Sequence, residues 1–193
     1  MNQKLTYQVD QIKVVEPDDD SDLKIDEEKD YITLKEYVDR MKDGQDKIYY
    51  ASGETVDKID LLPQVENIKD KGYEILYLTD NIDEFVFQVL MNYEGKQFAN
   101  TGANNVDLDS KEEKEQLDKE NQDYKDMFEV MKESLSSQVE GVRFTHRLKN
   151  HPVCLWSDGA ISIEMEKVIN AMPNDQSVKA KTYLEINDSH PIA

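Results

Sequence analysis

The order of helical and β-prone runs after residue 32 constrains the fold of this chain more than any other feature of its sequence. Apolar residues recur at helical spacing over 33–42, after a capping-box threonine at Thr33, and predict an amphipathic helix. The runs KIYYAS (47–52) and YEILYLT (73–79) predict strands, and a second helix is expected over Leu61–Lys71 between them. Because parallel neighbouring strands need a crossover helix, this order predicts a small αβα layer with parallel strands.

A third predicted helix, capped by Asp80, is unusually rich in apolar side chains. Gly95 is expected to end this helix, whose predicted core-facing stripe comprises Ile82, Phe85, Val86, Val89, Leu90 and Tyr93. Phe87 and Met91 lie four residues apart on another side of the same helix. A helix that is apolar over so much of its circumference is either buried on several sides or presents a surface to a partner.

The second half of the chain follows a predicted loop over residues 102–110. Lys111–Ser134 contains neither Gly nor Pro and predicts a long helix, with a solvated first half because apolar spacing appears only from Tyr124 onward. The remaining predicted elements are strands over 142–148 and 153–157, a helix from about Ser162 to Met172, and a strand over 181–186. We expect the first two of these strands to pair with each other. The predicted fold class is α+β with an α/β part: a small αβα three-layer segment followed by a long helix and a small α+β domain.

A second apolar stripe lies near the end of the chain. Its members, at helical spacing, are Ile161, Met165, Val168, Ile169 and Met172. Core packing is the default interpretation of such a stripe. Binding of a partner is the alternative, because the adaptable methionine side chain is favoured at surfaces that accept several partners.

The charge of the chain is strongly negative, with 42 acidic against 23 basic residues and a formal net charge of −19. The segments 1–30, 31–106 and 107–193 carry −6, −6 and −7, so the charge is global rather than confined to one site. Such acidity argues against nucleic-acid binding, which depends on Lys and Arg neutralising phosphates. Residues 16–30 hold nine carboxylates among fifteen residues and are interpreted as a solvated linker, with a calcium loop as the alternative.

The sequence predicts neither membrane insertion nor recognisable catalysis. No apolar run approaches the roughly 18 residues of a membrane helix, and the first residues lack the apolar region of a signal peptide. One cysteine and three histidines show no metal-ligand spacing, and a lone Cys154 fits a reducing, cytosolic setting. Cys154 is expected to be a buried small hydrophobe, and His146 to be a structural hydrogen-bonding residue rather than a general base. An enzyme with an acidic site of unrecognised pattern remains the competing class.

Several segments, in order, resemble the 90-kDa heat-shock chaperone family in its bacterial, HtpG-like form. They are TLKEYVDRMKDGQDKIYYASGE (33–54), KGYEILYLTDNIDEFVFQVLMNYEGKQF (71–98), VRFTHRLKNHPVCL (142–155), ISIEMEKVINAMP (161–173) and LEINDSHPI (184–192). Shared order over several segments is far more specific than a single short motif. The resemblance covers about residues 31–193 and identifies the chain as a member of a stress-response, protein-folding family.

The resemblance implies a particular division of the chain. Residues 1–30 would be an acidic, poorly ordered segment, and residues 31–106 the small αβα segment that closes the family's middle domain. Residues 107–193 would be the first part of its C-terminal α+β domain, ending before the helices that form the family's homodimer. The full-length family is an ATP-dependent, magnesium-requiring cytoplasmic chaperone, but this chain would hold no cofactor and would be mainly monomeric.

The resemblance also implies a surface for unfolded or partly folded client proteins between the middle and C-terminal domains. Carried over position by position, this client-binding surface comprises Glu84, Phe85, Gln88, Ile161, Met165, Val168 and Ile169. Glu84 and Gln88 are expected to form its polar edge. The alternative function is a stand-alone acidic protein-interaction module without chaperone activity.

Overall fold

The computed structural model describes residues 12–15, 32–80, 82–103, 106, 109–135, 138–173 and 177–191. In the first half, the elements are β1 (Ile12–Val15), α1 (Leu34–Arg40), β2 (Lys47–Ser52), α2 (Val56–Asp60), a 3-10 turn (Pro63–Val65), α3 (Glu66–Asp70), β3 (Ile75–Leu78), α4 (Asp83–Leu90), β4 (Asn92–Tyr93) and β5 (Lys96–Asn100). In the second half, they are α5 (Lys111–Asp123), α6 (Lys125–Ser134), β6 (Gly141–Thr145), β7 (Val153–Asp158), α7 (Ile163–Ala171) and β8 (Lys181–Asn187). The mixed α and β content confirms the predicted fold class.

The first sheet has the strand order β1-β3-β2-β5-β4. β2 pairs in parallel with both β3 and β5, which confirms the predicted parallel strands with crossover helices. Tyr49 faces one side of this sheet and packs with Ile59 of α2 and Ile68 of α3, whereas Tyr50 faces the other side and packs with Tyr37 of α1 and Phe87 of α4. The sheet is therefore buried between two helical layers, which is why its central strands are apolar on both faces.

The first helix begins as its sequence predicts. Thr33 Oγ1 accepts a hydrogen bond from Glu36 N at 3.2 Å, and Thr33 N donates to Glu36 Oε2 at 2.7 Å. These reciprocal bonds satisfy backbone donors that the first helical turn leaves free. The capping box at Thr33 is confirmed.

The helix predicted over Leu61–Lys71 forms from Pro63 to Asp70, as the 3-10 turn followed directly by α3, but the sequence did not predict the separate helix α2 before it. Thr55 caps a separate helix, α2, and the chain then passes through an extended Leu62 with φ −67° and ψ 129° before the 3-10 turn at Pro63. Proline has no N–H and disfavours helical geometry in the residue before it, so one helix cannot run through this position. α3 ends at Asp70, two residues before Gly72, whose φ is +72°.

The third helix, α4, ends earlier than predicted. Met91, which follows its last residue Leu90, adopts φ +60°, and Tyr93 belongs to β4 rather than to the helix. Glu94 and Gly95 have φ values of +48° and +78° and form the two-residue turn between β4 and β5. Positive φ at both turn positions is the geometry that matches the twist of a tight hairpin.

The second sheet has the order β6-β8-β7, so the predicted pairing of the first two strands is wrong. β8 lies between them, parallel to β6 and antiparallel to β7. The connection over residues 146–152 is longer than the roughly 2–5 residues of a typical hairpin loop. This length leaves room for the later strand to insert.

The predicted long helix is divided at Tyr124 into α5 and α6. α5 has no buried residue, which confirms its solvated character, whereas α6 buries Phe128 against Phe144 of β6 with ring centroids 5.0 Å apart. Asn121, near the end of α5, accepts a hydrogen bond from Phe144 N at 2.7 Å. The mainly solvated helix is thereby attached to the second sheet at one end.

Within residues 1–30, the structure describes Ile12–Val15, which pairs antiparallel with β3. The solvated linker and the alternative calcium loop predicted over residues 16–30 lie outside the described residues. The helices in the described part of the chain all lack the length or the apolar character that a bilayer-spanning segment requires.

Candidate functional site

Helices α4 and α7 meet beside the carboxyl ends of the parallel strands of the first sheet. Gln88 Nε2 donates a hydrogen bond to Ala160 O at 2.6 Å and lies 3.0 Å from Met165 Sδ. Glu84 Oε2 accepts a hydrogen bond from Ser162 Oγ at 2.8 Å. The structure thus brings together the two parts of the predicted client-binding surface, although they are far apart in the chain.

Glu84 connects three elements rather than standing at the surface. Its side chain is buried, and Oε1 accepts a hydrogen bond from Asn100 Nδ2 of β5 at 2.6 Å. Burial raises the pKa of the Glu84 carboxyl, while the hydrogen bonds from Ser162 and Asn100 act in the opposite direction. In this conformation Glu84 is an internal connection between α4, β5 and α7 and not the polar edge that the sequence predicts.

Ser162 performs two functions with one hydroxyl group. Its Oγ accepts a hydrogen bond from Met165 N at 3.0 Å, which caps α7, and donates to Glu84. A serine before an apolar-periodic run is a recognisable N-cap, so the start of this helix near Ser162 is confirmed. Its bond to Glu84 had no sequence signal, because the two residues lie in different predicted domains.

The burial of α4 differs from the predicted apolar stripe. Phe87 is 2% exposed, whereas Val89 is 85% and Leu90 43% exposed, so the assignment of Val89 and Leu90 to the core is wrong. Asp83 and Glu84 are buried instead, and Glu84 accepts a hydrogen bond from Asn100 of the sheet. A search for apolar periodicity ignores such residues and therefore misplaces the buried face.

The outward side of α4 carries an apolar face that we define by Ile82, Phe85 and Val89, spaced at i, i+3 and i+7. Ile82 is 55% exposed, and Phe85 is half-buried. Sequence reasoning named only Phe85 as a site residue, since it assigned the other two to the core. The α4 apolar face is exposed to solvent in this structure.

The α7 members of the predicted site differ in exposure. Ile161, Val168 and Ile169 are half-buried, and Met165 is buried beneath Gln88. A narrow space of about 30 Å³ between α4 and α7 is lined by side chains that include Glu84, Met165 and Val168. This volume admits about one water molecule. Met165 therefore supports the surface from below, while its half-buried neighbours contribute apolar area.

A second set of contacts holds the two sheets together. Arg147 Nη2 donates hydrogen bonds to Thr101 O at 2.9 Å and Ala103 O at 2.7 Å. Gln64 Nε2 donates to Leu155 O at 2.5 Å. A cleft of about 150 Å³ lies near these contacts, well below the roughly 300 Å³ at which small-molecule sites begin.

A buried charged group lies behind this interface. Glu185 is fully buried and accepts hydrogen bonds from Arg143 Nε at 3.0 Å and Nη2 at 2.5 Å, with Arg147 Nη1 3.6 Å away. Cys154 Sγ lies 3.7 Å from Glu185 Oε2. Burial, together with this carboxylate, raises the pKa of the Cys154 thiol to about 12. The prediction that Cys154 is a buried small hydrophobe is confirmed.

Comparison with known proteins agrees with the segments that the sequence singled out. The family model described as Hsp90 protein matches residues 24–193. The chaperone protein HtpG of Bacillus velezensis is 51% identical over 165 residues, and those of Bacillus subtilis and Clostridium botulinum are each 49% identical. Each alignment covers 86% of this chain but 26% of the relative, so the chain spans about a quarter of the length of these curated relatives. The chain belongs to the Hsp90 family.

Proposed function

We propose that this chain is a client-binding segment of an HtpG-type chaperone, which holds unfolded or partly folded proteins without transforming them. The observation that carries this proposal is the exposed α4 apolar face beside α7, where Val89 is 85% exposed. Exposed apolar patches of this kind mark sites of protein interaction. The relatives of this chain are named as chaperones, which supports a chaperone role for it.

Hydrogen bonds between α4 and α7 allow the apolar face of α4 to remain exposed to solvent. Gln88 and Glu84 fix α4 to α7 through hydrogen bonds, so the apolar face of α4 does not need to fold onto α7 to hold the helices together. Phe85, Ile161, Val168 and Ile169 are half-buried and offer apolar area to a client. In this proposal they are the anchors, Gln88 lies at the rim, and the buried Glu84 and Met165 maintain the spacing between the helices.

The full-length protein would add what this segment lacks. In the proposal, an ATP- and magnesium-dependent domain and a homodimer interface reside elsewhere in a cytoplasmic chaperone, and nucleotide changes the arrangement of this surface. The segment itself binds no nucleotide and no nucleic acid, and its charge of −19 keeps it mainly monomeric. Calorimetric titration with ATP and magnesium and light scattering at two salt concentrations test these statements. Micromolar nucleotide binding or a salt-insensitive dimer would contradict them.

We also propose that residues 31–106 and 107–193 are separate domains that pack through polar contacts, following the acidic segment 1–30. The hydrogen bonds from Arg147 to Thr101 and Ala103 are typical of such an interface. Limited proteolysis should cut first within 16–30 or 102–110. Uniform resistance of both segments would contradict this division.

The test of client binding uses variants that remove apolar area from the surface without emptying the core. Val89→Ser and Phe85→Ala are expected to weaken capture of a heat-unfolded reporter protein, measured as loss of aggregation suppression. Leu61→Ser is the matched control, because Leu61 is 75% exposed on α2's C-terminal side and outside the proposed surface. Met165→Ala should instead lower the free energy of unfolding by about 2–5 kcal/mol, as buried large-to-small changes do.

The result that opposes the proposal is specific. If folded Val89→Ser and Phe85→Ala variants suppress aggregation as well as the unmodified chain and the Leu61→Ser control do, the α4 apolar face does not bind clients. In that case, the alternative of an acidic interaction module without chaperone activity gains support.

A further inference from the structure

Two parallel strands of the second sheet end side by side, and each is followed by a potential metal ligand. In the register of β6 and β8, Thr145 lies opposite Asn187. The residues that follow them, His146 and Asp188, therefore leave the sheet at the same edge. Asn187 Nδ2 donates hydrogen bonds to the carbonyl oxygens of Lys149 and His151, so the backbone at this edge is held by contacts of its own.

A third potential ligand comes from the solvated helix α5. The amide of Asn121 accepts a hydrogen bond from Phe144 N at 2.7 Å and places its Nδ2 3.4 Å from Phe144 O, which fixes this end of α5 against β6. Glu120 precedes Asn121 and is half-buried, in a helix most of whose side chains are exposed. It is thereby positioned next to His146.

The three side chains converge within ligand distance of one another. One ring nitrogen of His146 and one carboxylate oxygen from each of Glu120 and Asp188 all lie within 4.8 Å of each other. His146 Nε2 is 3.7 Å from Asp188 Oδ2. In a tetrahedral site with metal–ligand bonds of about 2.0–2.1 Å, neighbouring ligand atoms are about 3.3 Å apart. The observed separations are longer than this, so the side chains would rotate toward one another to enclose an ion.

The other nitrogen of His146 also has a carboxylate beside it. Asp109 Oδ2 lies 3.5 Å from His146 Nδ1 on the opposite edge of the ring. Histidine ligands of metal ions commonly direct their second nitrogen to a carboxylate, which selects the tautomer and orients the ring. Asp109 is in the position that this arrangement requires.

The donor types indicate the class of ion. An imidazole nitrogen with two carboxylate oxygens suits a borderline divalent cation such as Zn²⁺, whereas Ca²⁺ and Mg²⁺ prefer oxygen ligands alone. Partial burial concentrates negative charge from Glu120, Asp188 and Asp109 around one imidazole. A divalent cation would offset the repulsion among these carboxylates.

We propose that Glu120, His146 and Asp188 form a binding site for a divalent transition-metal ion of the zinc class, with Asp109 as the residue that positions His146. The fourth position of a tetrahedral ion is left to water. Binding joins α5 to the ends of β6 and β8 and so stiffens the attachment of a helix that has no buried residue of its own. Because these ligands lie far apart in the sequence, they do not form a short metal-binding motif.

The experiment is a titration of the untagged 193-residue chain with Zn²⁺ by calorimetry, with Co²⁺ absorption in the visible range as a second readout. We expect one high-affinity equivalent per chain. His146→Gln, Glu120→Gln and Asp188→Asn should each weaken that site roughly ten-fold or more, and Asp109→Asn should weaken it at least several-fold. Zn²⁺ should also raise the melting temperature of the unmodified chain and not that of the ligand variants.

Matched controls distinguish the site from the acidic surface as a whole. His151→Gln removes another histidine and Glu115→Gln another α5 carboxylate, and both should bind Zn²⁺ as the unmodified chain does. The proposal is overturned if His146→Gln retains full affinity or if Mg²⁺ and Ca²⁺ compete equally with Zn²⁺. It is overturned as well if no saturable equivalent appears. Should His146→Gln fail to fold, Glu120→Gln on the outer helix decides the same question.

Discussion

Replacing Phe87 by alanine provides the most direct test of how α4 is oriented on the sheet. The Phe87 ring stacks on Phe98 with centroids 4.3 Å apart and an interplanar angle of 20°, and it meets Tyr50 edge-on at 5.2 Å. With 2% exposure, Phe87→Ala leaves a cavity that the sheet cannot close. We expect the free energy of unfolding to fall by about 3–5 kcal/mol. For a chain of this size, that loss corresponds to a decrease in melting temperature of roughly 6–20 °C.

The assay is urea unfolding followed by circular dichroism, with Val89→Ala as the control from the same helix. Val89 is 85% exposed, so its truncation should change the free energy of unfolding by about 0.5 kcal/mol or less. The reasoning is refuted if Phe87→Ala costs under about 1 kcal/mol, or if Val89→Ala costs as much as Phe87→Ala. Either outcome would mean that α4 presents the side chosen by apolar periodicity to the sheet.

Three further predictions concern buried polar groups. Because the pKa of Glu84 is raised in the folded state, the folded chain keeps this proton to a higher pH than the unfolded chain does. The stability that Glu84 contributes is therefore lost as the pH rises above 4.5, the ordinary pKa of a glutamate. Glu84→Gln should therefore gain stability relative to the unmodified chain between pH 4.5 and neutrality, and a difference that shrinks over this range in thermal unfolding would contradict the assignment. Arg147→Met should lower the free energy of unfolding by about 3 kcal/mol, measured with denaturant, because it removes a cation beside the buried Glu185. The control Arg40→Met, at a more exposed ion pair, should lower it by about 1 kcal/mol or less. Equal losses for the two variants would argue against the buried network. Cys154, whose pKa is raised to about 12, should react with iodoacetamide slowly in the folded chain and rapidly in denaturant, and rapid labelling of the folded chain would show that the thiol is accessible.

Local signals in the sequence determined where several elements begin and which strands form. The threonine-to-glutamate capping box at Thr33, the run KIYYAS and the serine before α7 each act within a few residues, so no distant partner was needed to interpret them. The quoted segments likewise sufficed for the family, because they recur in order and the matched relatives share about half of their residues with this chain. Parallel pairing of β2 and β3 followed from the helices between them.

Only the tertiary structure decided which strands of the second half are neighbours and which side of α4 is buried. The insertion of β8 between β6 and β7 depends on pairing between residues far apart in sequence, among them Arg143 and Cys154 on either side of Glu185. Val89 is exposed because Glu84 finds hydrogen-bond donors on β5 and α7 and so takes a buried position on the helix. Hydrogen-bond satisfaction of a buried carboxylate is a three-dimensional property, and apolar periodicity carries no information about it.

The candidate client-binding surface and the candidate metal site differ in the sequence signals that they carry. Family resemblance placed Phe85 and Ile161 on one surface before any geometry was available, and the structure brought their helices together. His146 and Asp188 become neighbours only when β6 and β8 pair in parallel, and Glu120 joins them only when α5 is fixed through Asn121. The three residues of the metal site are brought together by contacts between elements that are far apart in the sequence. No short sequence motif indicates these contacts, so the site is visible only in the folded chain.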